Sequence, residues 1–190
     1  MEKDKKCSVI NLRTYLEKGE EERIEALIDD FKCPYNKQVE IFLKMSAINF
    51  AKKKQAITYL LISSESAELV GYFSLTLKPL TIDIDKVSRR MARKLERICA
   101  LDEENNTYTV AAYLIGQIGK NYGISKEQQI SGDDLLTFAE EKIIEAQGIV
   151  GGVVEFLECE DTKFLVDFYE SHNFKLVNKR GNYLQYLKLL

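Results

Sequence analysis

Two short stretches of this chain put chemically useful groups at helix ends. The first is Glu127-Gln128-Gln129-Ile130-Ser131-Gly132, between an apolar run over 110–118 and the apolar group Leu135-Leu136-Thr137-Phe138-Ala139. A glycine that opens a helix just past a strand presents unobstructed backbone N–H groups and a positive dipole, which favours phosphate. The second is Phe168-Tyr169-Glu170-Ser171-His172-Asn173-Phe174. It closes a short helix that follows another apolar run, over 153–157. A phenol with an ordinary pKa of about 10 holds its proton at neutral pH and can hand it to a leaving group. Each stretch also has a plain structural reading. Ser131-Gly132 is then a turn and helix cap, and Tyr169 a packing aromatic at a helix end. His172, the lone histidine, reads as an exposed or favourably charged group at a helix C-terminus.

These groups need a scaffold, and periodicity supplies one. Ile10, Leu12 and Tyr15 suggest a short first strand and turn. Ile24, Leu27, Ile28 and Phe31 share one face of a helix over 20–31, broken by Cys33-Pro34. Asn36 is placed to cap a second helix that buries Val39, Phe42, Leu43, Ala47 and Phe50. The apolar runs 56–62 and 69–77 read as an antiparallel hairpin closed by Lys78-Pro79. A helix over 81–101 follows, with Val87, Met91, Leu95 and Ile98 as its stripe. After a polar turn over 102–106 come strand 110–118, helix 133–147, strand 153–157, the Tyr169 helix and a last strand over 182–189. The order predicts a mixed sheet with helices on both faces.

Composition bounds the rest. At 190 residues with 45% apolar content, the chain is expected to form one domain over 1–190 with a sizeable core. The net charge of −3 gives no general attraction to nucleic acid or membrane, so such a partner must use a local patch. Cys7, Cys33, Cys99 and Cys159 form no C-x-x-C pair, and one histidine makes a metal site an unpromising reading. Scattered thiols behind a charged, non-hydrophobic start at 1–6 fit a reducing cytoplasm. No apolar run approaches the roughly 20 residues of a membrane helix.

The helix-end patterns resemble the GNAT acetyltransferase superfamily: Q/R-x-x-G-x-G/A ahead of a helix, and F/L-Y-x-x-x-G-F behind the next strand. Gly132 matches the last glycine of the first pattern; Glu127 and Ile130 depart from it. Asn173 stands where the second has glycine, and asparagine best replaces glycine in a left-handed turn. The resemblance implies a mixed, mostly antiparallel twisted sheet whose two central parallel strands splay apart. It implies acetyl-CoA as cosubstrate, its diphosphate over Gln129, Ile130, Ser131, Gly132 and Asp133. Its pantetheine arm would pair with the backbone of Gln117, Ile118 and Gly119 as an added strand. Gly116 and Gly119 allow close approach there, or else mark a bulge. Thr162 takes the place of a pantetheine-contacting residue, or with Asp161 simply caps its helix. Tyr169 would be the general acid that protonates the departing thiolate. The acceptor is a primary amine that attacks the thioester directly.

Phe31-x-Cys33, Val39-x-x-Phe42-Leu43-x-x-x-Ala47, Thr58-Tyr59-Leu60 and Gly71-Tyr72-Phe73-Ser74-Leu75 resemble, more narrowly, the GNAT branch that contains toxins of toxin–antitoxin pairs. That branch implies aminoacyl-tRNA as the amine, an antitoxin protein as partner and room for a homodimer. A GNAT-like domain that has lost catalysis and only binds a partner is the third reading. A basic insert helix around 84–100 holds Lys86, Arg89, Arg90, Arg93, Lys94 and Arg97. It is either a phosphate-binding ridge, for RNA or for the 3′-phosphate of CoA, or a solvated face neutralised by Asp83, Asp85 and nearby acids. Glu155 and Glu158 are the acids nearest the expected cleft and lie on opposite faces of one strand; neither is assigned as base.

Overall fold

The hairpin forms where β-branched and aromatic residues alternate. Strand β2 (Ile57–Ser63) pairs antiparallel with β3 (Leu69–Asp83), from Ile57↔Leu75 to Ile62↔Leu69 with a bulge at Leu61/Ile62. The computed structural model describes residues 7–190, so the charged start at 1–6 lies outside the described residues. β3 does not stop at Lys78-Pro79 as the sequence suggests. The β2 ladder ends at Leu75, so Pro79, which lacks an N–H, interrupts no bond of that ladder.

The chain forms two compact units, residues 1–76 with 116–142, and residues 77–115 with 143–190. In the first, β1 (Cys7–Asn11) pairs antiparallel with β2. Leu12 and Tyr15, expected in a strand or turn, instead lie in helix α1 (Leu12–Glu17). Asn11 starts it by accepting from the Arg13 amide at 3.0 Å. Helix α2 (Glu21–Asp29) buries Ile24 and Ile28 as its spacing requires. Asn36 caps α3 (Lys37–Ile41), accepting from Gln38 and Val39 amides. The expected continuous second helix is interrupted by a π turn at Phe42–Ser46 before α4 (Ala47–Lys52). Leu12, Ile24, Phe31, Leu43, Leu60 and Tyr72 centre this core, and Tyr72 donates to the Val39 carbonyl at 2.6 Å.

In the second unit the expected helix over 81–101 is much shorter. Thr81, Ile82 and Asp83 finish β3, a 3-10 turn covers Ile84–Lys86, and α5 runs only Arg89–Leu95. Asp83 caps the turn and Ser88 caps α5, so two short polar residues restart the backbone where periodicity alone suggests continuity. The apolar stripe still packs: Leu95 is fully buried, with Val87 and Met91 against the same core, while Ile98 lies beyond the helix and is exposed. Strands β4 (Leu101–Asp102) and β5 (Thr107–Lys120) follow. Helix α6 (Gly132–Val150), β6 (Val154–Glu160), α7 (Lys163–Ser171), β7 (Lys175–Arg180) and β8 (Tyr183–Leu189) complete the chain. β7 is the strand that periodicity misses, for it is polar and bulged between Leu176 and Asn178.

The strand order is β1-β2-β3-β5-β6-β8-β7, with β4 on β5. This is the expected mixed, mostly antiparallel sheet. Its parallel pair, β5 with β6, comprises only Tyr113↔Glu155, Leu114↔Phe156 and Ile115↔Leu157, although both strands run on past that point. No described helix is long and apolar enough to cross a membrane.

Candidate active site

Tyr169 occupies the third-last residue of α7, and the helix end explains its spacing to Phe174. Asn173 is in the left-handed region at φ 68°. The Phe174 amide donates to the Tyr169 carbonyl and the Asn173 amide to that of Glu170, both at 3.1 Å. Phe174 then turns its ring edge onto Tyr169, centroids 5.8 Å apart. That is a Schellman cap with its hydrophobic contact, and it demands a residue tolerant of positive φ at 173. Cap and contact therefore account for the backbone and ring of Tyr169, but not for its hydroxyl. The side chain is 5% exposed, between Phe168, Phe174 and Tyr186. Its hydroxyl makes no hydrogen bond to any described residue, yet it is not sealed from solvent. Burial, with the Cys159 thiol nearby, raises its pKa well above the ordinary tyrosine value, so it keeps its proton.

The neighbours of Tyr169 are occupied. Tyr186 donates to Glu170 at 3.4 Å and is pushed up to about 12, first by burial. Cys159 is raised to about 11 for the same reason, which keeps it a thiol. His172 Nδ1 lies 2.8 Å from the Phe168 carbonyl, an acceptor, so that nitrogen carries a proton. Thr162 is the cap of α7 and accepts from the Leu165 amide at 3.4 Å, whereas Asp161 pairs with Lys179. Glu155, one of the two acids considered as a base, is fully buried and ion-paired with Lys188 at 3.5 Å. Glu158 is exposed and accepts from Gln185 at 2.9 Å.

The glycine-opened helix start lies in the other unit. Ser131 caps α6 through the Asp134 amide, 3.0 Å, and its hydroxyl in turn donates to the Asp134 carboxylate, 2.7 Å. This is a serine N-cap whose hydroxyl is oriented by the N3 carboxylate. The side chains ahead of it are turned aside: Gln129 donates to the Ile124 carbonyl, and Ile130 is 8% exposed. Backbone at Ser131-Gly132 therefore lines the helix start, as a diphosphate would need. Asp133 and Asp134 both stand in the first turn, so a phosphate there must keep to the backbone and away from two carboxylates. Gln117, Ile118 and Gly119 are half-buried on the last third of β5. A Cβ on Gly119 would come within 2.4 Å of Val39 Cγ1, and one on Gly71 within 3.1 Å of the Gly119 carbonyl. Packing against α3 thus already requires glycine at 119.

No protein-family model matches the sequence, and no curated protein matches it either. Solved structures match its fold. AtaT complexed with acetyl-methionyl-tRNAfMet superposes with a TM-score of 0.66 at 16% identity, over 94% of this chain and 93% of that one. A tyrosine-to-phenylalanine variant of KacT gives 0.66 at 16%, over 96% and 95%. A tyrosine-to-phenylalanine variant of the toxin AtaT, bound to acetyl-CoA and the C-terminus of the antitoxin AtaR, gives 0.61 at 13%, over 97% and 93%. The chain therefore has, along nearly its whole length, the GNAT fold that it shares with AtaT and KacT.

Proposed function

We propose that this chain transfers the acetyl group of acetyl-CoA to a primary amine, and that the amine is that of an aminoacyl-tRNA. The observation that carries the reading is Tyr169, whose cap and packing explain everything but a protonated hydroxyl with no partner. The fold supports it, shared with AtaT over 94% of the chain and with KacT over 96%. AtaT solved with an acetylated, charged tRNA favours aminoacyl-tRNA over a small-molecule amine as acceptor. AtaT bound to AtaR supports an antitoxin protein as partner. Charged tRNA and acetyl-CoA would place the work in the cytoplasm.

Acetyl-CoA supplies a thioester whose carbonyl carbon the amine attacks as the carbon–sulfur bond breaks. Backbone amides of Gln117, Ile118 and Gly119 hold the cosubstrate by strand-like pairing and polarise that carbonyl. Backbone at Gln129, Ile130, Ser131, Gly132 and Asp133 holds the diphosphate. Thr162 spends its oxygen on the helix cap and keeps its O–H for an amide acceptor. Tyr169 gives its proton to the thiolate sulfur, and the attacking nitrogen loses one to water.

Calorimetric titration with acetyl-CoA tests the cosubstrate site. Gly132→Val puts a branched side chain on the helix start. It should weaken binding by more than about tenfold, roughly 1.4 kcal/mol. A folded variant that binds like the parent would put the diphosphate elsewhere.

A further inference from the structure

The cations on α5 and the turn after it have no partner among the described residues. Arg89, Arg90, Arg93, Lys94 and Arg97 are all exposed, line one surface depression together and form no ion pair with a described residue. The acids expected to neutralise them are engaged elsewhere. Asp83 caps its turn and faces Lys86, Asp85 accepts from Asn106, and Glu96 accepts from Tyr108 at 3.1 Å. The helix also breaks two local rules. Its first turn holds two arginines and no acid, against the dipole. Arg89 and Arg93, and Arg90 and Lys94, are like charges at i, i+4. No described carboxylate forms an ion pair that offsets that repulsion. A bound polyanion would offset it.

We propose that this face binds the phosphate backbone of RNA, and, given the aminoacyl-tRNA reading above, that it holds the body of the tRNA whose end is acetylated. Four of the five cations are arginines, whose planar forks grip phosphate with two hydrogen bonds. The depression is lined by cations alone, with none of the aromatic or aliphatic anchors that carry a protein interface. Arg89 to Lys94 alone spans about 8 Å at helical rise, over which one nucleic-acid strand offers about two or three phosphates. The 3′-phosphate of CoA is a single group and would engage only part of this row.

The test is a binding titration of the full chain with labelled, deacylated bulk tRNA across a salt series. The variant carries Arg89→Gln, Arg93→Gln and Arg97→Gln, and glutamine keeps helix propensity. A control loses the same charge at exposed sites elsewhere, Lys53→Gln, Lys78→Gln and Lys175→Gln. The ridge variant should bind about 100-fold more weakly near 0.1 M salt, and its log–log salt slope should shrink by about two to three. The control should stay within a fewfold of the parent, and acetyl-CoA affinity should be unchanged in both. Equal tRNA binding by ridge variant and control overturns the proposal. So does loss of acetyl-CoA binding alone, or a polyglutamate peptide that binds the ridge more tightly than tRNA. A chain that binds tRNA through the ridge but transfers no acetyl group refutes the acyltransferase reading and leaves the ridge standing.

Discussion

Replacing Tyr169 with phenylalanine is expected to lower acetyl transfer by about 10²–10⁴-fold, the usual contribution of general acid–base catalysis. That is about 3–5 kcal/mol of barrier. The ring keeps its contacts with Phe168, Phe174 and Tyr186, and the lost hydroxyl has no partner among the described residues. Melting temperature should therefore barely move. Acetyl-CoA affinity should hold too, since the O–H matters most as the thiolate forms. The pH profile adds a check. Burial raises the Tyr169 pKa, so the donor stays loaded through the pH at which an ordinary tyrosine, near 10, would ionise. The parent should show no falling limb from this group near pH 10. Parental turnover in Tyr169→Phe would mean that water protonates the sulfur, and that Tyr169 only packs.

The second large effect concerns folding. Lys188→Met should destabilise the chain by about 3–5 kcal/mol, the range for removing one partner of a buried ion pair. Glu155 is fully enclosed near the start of β6, directly across from Lys188 on β8. The Lys188 ammonium also lies 5.3 Å from the centre of the Phe174 ring. Methionine keeps the stem and removes the charge that faces the buried carboxylate. At roughly 2–4 °C per kcal/mol for a chain this size, the melting temperature should drop by about 10 °C. Lys188→Arg should recover most of the loss. A drop below about 1 kcal/mol would mean that solvent reaching the 22% exposed lysine side chain already screens the pair. The same pair explains why Glu155 is unsuited to act as a base: its charge holds two strands together.

The helix ends were the most legible part of the sequence, because they are written in single residues with one physical meaning each. Asn36 caps as expected, Asn173 takes the left-handed turn, and Gly132 opens α6. The hairpin and the parallel pair follow from long apolar runs. Periodicity failed where local polar groups outvote it. Asp83 and Ser88 split the expected helix over 81–101, Asn11 turns Leu12 and Tyr15 into a helix, and the bulged, polar β7 carries no strand-like alternation. The role of Gly119 in making room for Val39, and the pairing of Glu155 with Lys188, depend on partners about 80 and 33 residues away in the chain. No local pattern encodes them. The unpaired state of the basic ridge was equally hidden, since the neutralising acids are present in sequence and engaged only in the fold.

The most direct measurement is transfer of label from radiolabelled acetyl-CoA to a charged tRNA, run beside free amino acids and polyamines at matched concentration. Label is expected on the amino group of the aminoacyl-tRNA, lost when the tRNA is deacylated beforehand and lowered in Tyr169→Phe. Label on the free amines alone would contradict the acceptor, and no label on any amine by a folded chain that binds acetyl-CoA would contradict the reaction itself.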